Sequence, residues 1–360
     1  MKKKEIDTPA LLLNLDLFEA NIFQMARYFE GIRANLRPHV KTHKTPMIAK
    51  KQIEAGAKGI TCAKLGEAEV MANHQIENIL IANQIVGKQK IKRLIKLTKR
   101  ADLIVAVTDH ENVRNLSLAA EKEDIKLDVI IEVEVGMNRC GTAPGLETLE
   151  LARGIVKIKN LNFRGIMGYE GHVMVPMDIE ERRQKTLQAD KLLVDTAKLI
   201  ENTGIKVEIV SAGGTGTFDI TGNYPGITEV QAGSYCLMDS SYREYKNLMS
   251  KFQCAVTVYA SVIGRPTAER VVVDTGLKSI SIDQGIPYPK EKNFFKVVEL
   301  HEEHMCLELK RPDLKIDIGD KIEFIPSHIC TTVNLHDKFY CIRGNELKEV
   351  WDIEARGKSQ

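Results

Sequence analysis

ADLIVAVTDHENVRNLSLAAEKEDIKLDVIIEVEV, residues 101–135, decides the fold. Residues 102–107 (DLIVAV) and 128–135 (DVIIEVEV) are near-continuous apolar runs, as strands covered on both faces of a parallel sheet should be. Between them Asp109 can cap a helix that returns the chain to the start of the next strand. The stretch therefore reads as one strand–helix–strand unit with a right-handed crossover.

The same pattern extends in both directions. Upstream strands are predicted at 36–41 (LRPHVK), 59–64 (GITCAK) and 78–83 (NILIAN), downstream strands at 163–169 (FRGIMGY), 207–212 (VEIVSA) and 229–235 (EVQAGSY). Amphipathic helices fall at 16–30, 44–56, 87–99, 145–158 and 180–202, with Gly56 and Gly204 placed to close two of them. Such alternation leaves an α/β barrel or a doubly wound sheet, and eight repeats favour a (β/α)8 TIM-like barrel. From about residue 250 the texture changes. Residues 254–263, 269–275, 303–309 and 321–325 alternate or run apolar between Gly, Pro and charged turns, which predicts a C-terminal β-domain. Residues 8–15 (TPALLLNL) are strand-like and fit that domain. The expected division is a barrel over 16–248, with 1–15 and 249–360 as the β-domain.

Composition excludes more than it identifies. The 360 residues carry 51 Lys+Arg against 49 Asp+Glu, a net +2, so no field selects nucleic acid or an anionic membrane. No apolar run approaches the length of a membrane span. Seven cysteines stand at 62, 140, 236, 254, 306, 330 and 341 without a CxxC, which points to a reducing, cytoplasmic setting rather than a disulfide framework.

Four segments carry chemistry, three of them following barrel strands, where βα loops converge. RPHVKTHK (37–44) puts Lys41 among Arg37, His39, His43 and Lys44. Crowding by positive groups frees a lysine amine for a Schiff base, and the same loop also reads as a solvated anion-binding patch. Arg139 in EVGMNRCGT can hold an oxyanion. In GYEGH, Tyr169 can face a planar ring and His172 can transfer protons, or His172 is structural. VSAGGTGTF (210–218) and QAGSY (231–235) place Ser211, Gly213, Gly214 and Thr215, then Gly233, Ser234 and Tyr235, after strands seven and eight. Each glycine cluster alone is better explained by a turn. Their shared place is the usual phosphate site of a barrel. In PSHICTTVNLHD (326–337), His328 and Cys330 lie two apart on a predicted extended segment and so share a side. Imidazole and thiolate suit Zn²⁺, with positions left for water and substrate, and the alternative is a buried cysteine beside a surface histidine.

Together with TPALLLNLD, GITCAKLGEAE, VDTGLKSISIDQG and the terminal ARGKS, these segments resemble the D-threonine aldolase and D-serine dehydratase family, which is alanine-racemase-like and uses pyridoxal 5'-phosphate (PLP). The resemblance covers nearly the whole chain. It implies that Lys41 is the Schiff-base lysine, that Arg139 neighbours the cofactor's phenolic oxygen, and that Tyr169 lies near its ring. It implies that Ser211, Gly213, Gly214, Thr215, Gly233, Ser234 and Tyr235 surround the phosphate. His328 and Cys330 fall on the family's paired ligands for a divalent metal (Zn, Mn or Mg). The substrate implied is a small β-hydroxy-D-amino acid, cleaved to glycine and an aldehyde, and the assembly implied is a homodimer. The family's aldolases carry His and Asp two apart. His-x-Cys resembles the dehydratase, so loss of ammonia is the alternative reaction. An amino-acid racemase and a non-catalytic PLP-binding protein are the further alternatives.

Overall fold

A computed structural model describes residues 1–175, 178–291, 294–311 and 313–360. Two compact units emerge: a barrel unit of Met25–Lys41, Ile48–Gly233 and Lys358–Gln360, and a β-unit of Met1–Gln24, Thr42–Met47 and Ser234–Gly357. Strand β1 (Ala10–Asn14) belongs to the β-unit.

The barrel strands are β2 (Asn35–Leu36), β3 (Ile60–Cys62), β4 (Asn78–Gln84), β5 (Asp102–Val107), β6 (Leu127–Glu132), β7 (Leu161–Met167), β8 (Ile209–Ala212) and β9 (Glu229–Val230). All pair in parallel, β3 through β9 each with its neighbour in sequence, and β9 pairs with β2. A parallel bridge between His39 and Thr61 closes the ring, with the Thr61 N–H on the Pro38 carbonyl at 2.9 Å. Consecutive order and closure distinguish a (β/α)8 barrel from a doubly wound sheet, which reverses its strand order and keeps two edges. Leu80, Ile104, Ala106, Ile130, Met167 and Ile209 form a buried cluster on its strands. Each large aliphatic side chain so buried contributes on the order of 1.5–3 kcal/mol.

The helices start and stop for local reasons. Asp109 accepts the Asn112 N–H at 2.8 Å and caps His110–Lys122, and Asp178 does the same for Ile179–Glu201. Lys88–Leu97 buries Ile91, Leu94 and Ile95, the i, i+3, i+4 stripe of an amphipathic helix. Gly204 closes Ile179–Glu201 at φ +85°.

Two predicted strands stop well short of their predicted ends. The run 36–41 stops at Leu36, and Val40–Thr42 is a 3-10 turn, because Pro38 offers no N–H to a ladder. Lys41 therefore sits on a turn beyond the strand. The run 229–235 stops at Val230 and passes into the 3-10 helix Ser234–Cys236. Arg37 is also reassigned. Its guanidinium is buried, donates to Glu229 at 2.8 and 2.9 Å and to Asn78 Oδ1 at 2.7 Å, and so knits β9 and β4 to the end of β2. Its charge is spent on Glu229 rather than on Lys41.

In the β-unit, β1 pairs antiparallel with β10 (Val256–Gly264) and parallel with β16 (Lys338–Arg343), so the N-terminal run joins this sheet as its pattern suggested. With β11 (Arg270–Val273), β12 (Tyr288–Pro289), β13 (Phe295–Leu300), β14 (Met305–Leu309), β15 (Lys321–Ile325) and β17 (Glu346–Asp352), the order is β13-β14-β11-β10-β1-β16-β17, and β15 pairs with β10 and β12. Ile6, Ala10, Leu12, Tyr259 and Ile342 form a core cluster there. The segment carrying His328 and Cys330 is not extended throughout. His328 is extended, but Ile329–Val333 is helical, because the buried Asp239 carboxylate accepts the Ile329 N–H at 2.7 Å. None of the seven cysteines is in a disulfide, and no described helix is long and apolar enough to cross a membrane.

Candidate active site

Three barrel loops, each beyond the C-terminal end of its strand, converge on the ring of Tyr169, which itself lies past β7. Lys41, past β2, places Nζ 5.4 Å from the ring centroid. Arg139, past β6, places its guanidinium carbon 5.8 Å from the same centroid. Gly214, past β8, lies so close that a Cβ there would stand 3.3 Å from Tyr169 Cε2. His172, past β7, lays its imidazole against Gly136, where a Cβ would come within 2.5 Å of the ring and where φ is +123°. Only glycine meets both demands at 136, so EVGMNRCGT and GYEGH interlock through that residue. His172 Nδ1 is buried and has no hydrogen-bond partner among the described residues.

The Arg139 loop is built rather than loose. Its base is pinched where the Glu134 N–H meets the Thr142 carbonyl and the Thr142 N–H meets that of Glu132, both at 2.9 Å. Within it the Glu134 carboxylate accepts the N–H groups of Gly136 at 2.5 Å and Arg139 at 3.1 Å. Partial burial works against its charge, but backbone N–H donors from Asn138, Gly136, Arg139 and Met137 hold its pKa below the ordinary carboxylate value. Arg139 is half-exposed and 3.6 Å from Glu132. Sequence reasoning missed Glu134. The available signal was an acidic residue opening a glycine-containing turn, where backbone N–H groups point inward.

The glycine turn after β8 uses part of its own donors. The Gly213 N–H bonds Glu170 at 3.2 Å, and the Gly214 N–H bonds the Thr217 hydroxyl at 3.1 Å. Ser211 Oγ accepts from Gln231 at 2.9 Å. Thr215 is buried, and the Gly216 N–H makes no hydrogen bond among the described residues. Gly233 ends the barrel unit. Ser234 and Tyr235 open the β-unit, where Tyr235 is buried with its ring 5.9 Å from Phe252. A turn with an unused amide, a lysine and an arginine flanking one aromatic face, and an orphaned imidazole nitrogen fit a planar cofactor carrying a phosphate.

In the β-unit, helix onset brings His328 and Cys330 together rather than apart, and the imidazole and thiol are hydrogen-bonding neighbours. His328 Nδ1 lies 2.6 Å from Asp283, and Cys330 Sγ lies 3.5 Å from the Thr42 hydroxyl. Burial lowers the His328 pKa, but Cys330, Asp283 and Asp239 outweigh it and raise it to about 9. A carboxylate on one ring nitrogen orients the other, the usual support of a metal-bound histidine, so the pair fits a divalent ion. Glu299, His301 and Cys306 also bring three ligand-type atoms within 4.8 Å of one another on the β13–β14 hairpin. There Arg270 donates to Cys306 at 3.5 Å, and a fixed positive charge opposes a cation.

Residues 13–241 match the family model described as "Alanine racemase, N-terminal domain", and the chain belongs to that family. Residues 255–342 match a second model, "Putative serine dehydratase domain". Among curated relatives, a D-threonine aldolase of Arthrobacter sp. is 34% identical across 99% of this chain and 94% of its own. A 3-hydroxy-D-aspartate aldolase of Paracoccus denitrificans is 33% identical with the same coverage. The solved structure of D-threonine aldolase from Filomicrobium marinum superposes with a TM-score of 0.96 at 36% identity, covering 99% of this chain and 98% of that one.

Proposed function

We propose that the protein is a PLP- and divalent-metal-dependent lyase that cleaves β-hydroxy-D-amino acids to glycine and an aldehyde. The observation that carries this reading is the convergence of Lys41 and Arg139 on the Tyr169 ring, 5.4 and 5.8 Å from its centroid, beside the orphaned Nδ1 of His172. When bound, PLP supplies an electron sink for Cα and the ion a Lewis acid for the β-hydroxyl. Lys41 Nζ would hold the cofactor covalently, and Tyr169 would offer its ring to one face. Arg139 would hold negative charge at the phenolic oxygen, steadied by Glu134. Ser211, Gly213, Gly214, Thr215, Gly233, Ser234 and Tyr235 would enclose the phosphate, Gly213 by shaping the turn because its N–H is engaged. His172 would take the β-hydroxyl proton at Nδ1. His328 and Cys330 would hold the ion, with Asp283 fixing the imidazole.

Support for aldol cleavage over other reactions comes from full-length likeness to two aldolases. A second reading, loss of ammonia from the same substrates, is favoured by the Cys330 thiol and the match of residues 255–342. Incubation with D-threonine separates them: acetaldehyde and glycine are expected, whereas 2-oxobutanoate and ammonia would replace the first reading with the second. Activity that survives chelation and yields the L-amino acid would overturn both in favour of a racemase. Cofactor absorbance without turnover on any D-amino acid would indicate a non-catalytic PLP-binding protein. A homodimer in a reducing, cytoplasmic setting completes the proposal, supported by seven cysteines outside any disulfide and by the family resemblance.

A further inference from the structure

Beneath the glycine turn lie two carboxyl groups that the proposed chemistry does not use. Glu170 and Asp190 are each 1% exposed. Glu170 accepts the Gly213 N–H at 3.2 Å through one oxygen and the Thr217 hydroxyl at 2.5 Å through the other. The Thr217 oxygen in turn accepts the Gly214 N–H at 3.1 Å. One carboxyl group thus fixes two consecutive amides and the side chain that ends the turn. Asp190, on the helix Ile179–Glu201, has neither oxygen in a well-formed hydrogen bond among the described residues, and the Thr221 hydroxyl beside it is equally unmatched. Thr221 packs on Gly213, where a Cβ would stand 3.2 Å from its methyl.

A buried acid under an anion-binding turn is costly if it is charged, since phosphate and carboxylate would repel in a medium of low dielectric. Burial pushes Glu170 up, against hydrogen bonds from Thr217 and Gly213 and the charge of His172. Burial and then Glu170 push Asp190 to about 8. We propose that Glu170 is a positioning residue of the phosphate site, which through its hydrogen bonds to the Gly213 N–H and the Thr217 hydroxyl withdraws Gly213 and Gly214 from the ligand and aims the following N–H groups at it. A carboxamide can keep both contacts, because its oxygen accepts from the Gly213 N–H while its NH₂ donates to the Thr217 oxygen.

The inference rests on the reading that this turn receives the phosphate of PLP. The test is to free full-length protein of cofactor with hydroxylamine, then titrate it with PLP and separately with pyridoxal, which lacks the phosphate. Glu170→Ala and Thr217→Val should bind PLP at least tenfold more weakly, with pyridoxal affinity within twofold of the unmodified protein. Glu170→Gln should stay within threefold for both ligands. Equal losses for PLP and pyridoxal would reduce Glu170 to a purely structural role. Undiminished PLP binding in both truncated variants, or a Gln variant as weak as the Ala variant, would overturn the clamp. Unmodified protein that takes up neither ligand would instead remove the proposed function, and this inference with it.

Discussion

Single atoms decide what this site can do. Cys330 adds a thiol beside an imidazole whose other face Asp283 has fixed at 2.6 Å. Cys330→Ala should therefore keep the absorbance of the lysine-bound cofactor, lose bound metal on equilibrium dialysis, and lose most turnover. Unchanged metal content in that variant would remove the thiol from the ion's ligands. Asp190 makes a prediction of opposite flavour. Its carboxyl is raised to about 8 by burial and by Glu170, so the folded state holds a proton that the unfolded chain gives up near pH 4. Stability is then greatest below pH 4 for this group and declines as pH rises to 8, by up to about 1.4 kcal/mol per unit. Asp190→Asn should flatten the dependence of the urea midpoint on pH between 5 and 8.

At the scale of elements, loops act through their bases. The Arg139 loop is pinched at Glu134–Thr142 and pulled in by the Glu134 carboxylate. Glu134→Ala should release it, and since misplacing a charged group by about 1 Å can cost up to a hundredfold, a loss of activity on the order of tenfold is expected. Thermal unfolding should move little, because the side chain is only partly buried. The strand ends were the least legible elements. LRPHVK reads as one strand, yet Pro38 removes a ladder donor and the chain turns at Val40–Thr42. In the same way, HIC reads as extended, yet Asp239, 90 residues away in sequence, caps a helix at Ile329. A cap from that distance leaves no mark in a local window.

At the scale of the molecule, closure is the event that makes a barrel, and a buried ion pair stands where the first and last barrel strands meet. Arg37 to Glu229 joins β2 to β9, and burial of Glu229 is outweighed by Arg37 and Lys58, so its pKa lies below the ordinary value. The pair's contribution is present above the unfolded carboxylate pKa and is lost as pH falls through the folded one. Arg37→Met leaves the buried Glu229 carboxylate with Lys58 alone and should cost about 3–5 kcal/mol in urea unfolding. Arg37→Met with Glu229→Gln should recover part of that loss, since the buried charge is gone.

Periodicity determined the succession of elements, eight apolar runs alternating with amphipathic helices and then a stretch of short alternating strands, because burial on both faces or one face writes itself directly into residue order; closure of the ring at His39 and Thr61 is what separates a barrel from a doubly wound sheet. The placement of Lys41, Arg139, Tyr169 and His172 was likewise legible, because each follows an apolar run that forms a barrel strand. Only the tertiary structure decided that Arg37 serves Glu229, that Gly213 and Gly214 answer to Glu170 and Thr217, and that His328 meets Cys330 across a helix start. Those partners are remote in sequence, and a hydrogen bond between remote residues depends on where the chain has been brought, which local composition does not encode.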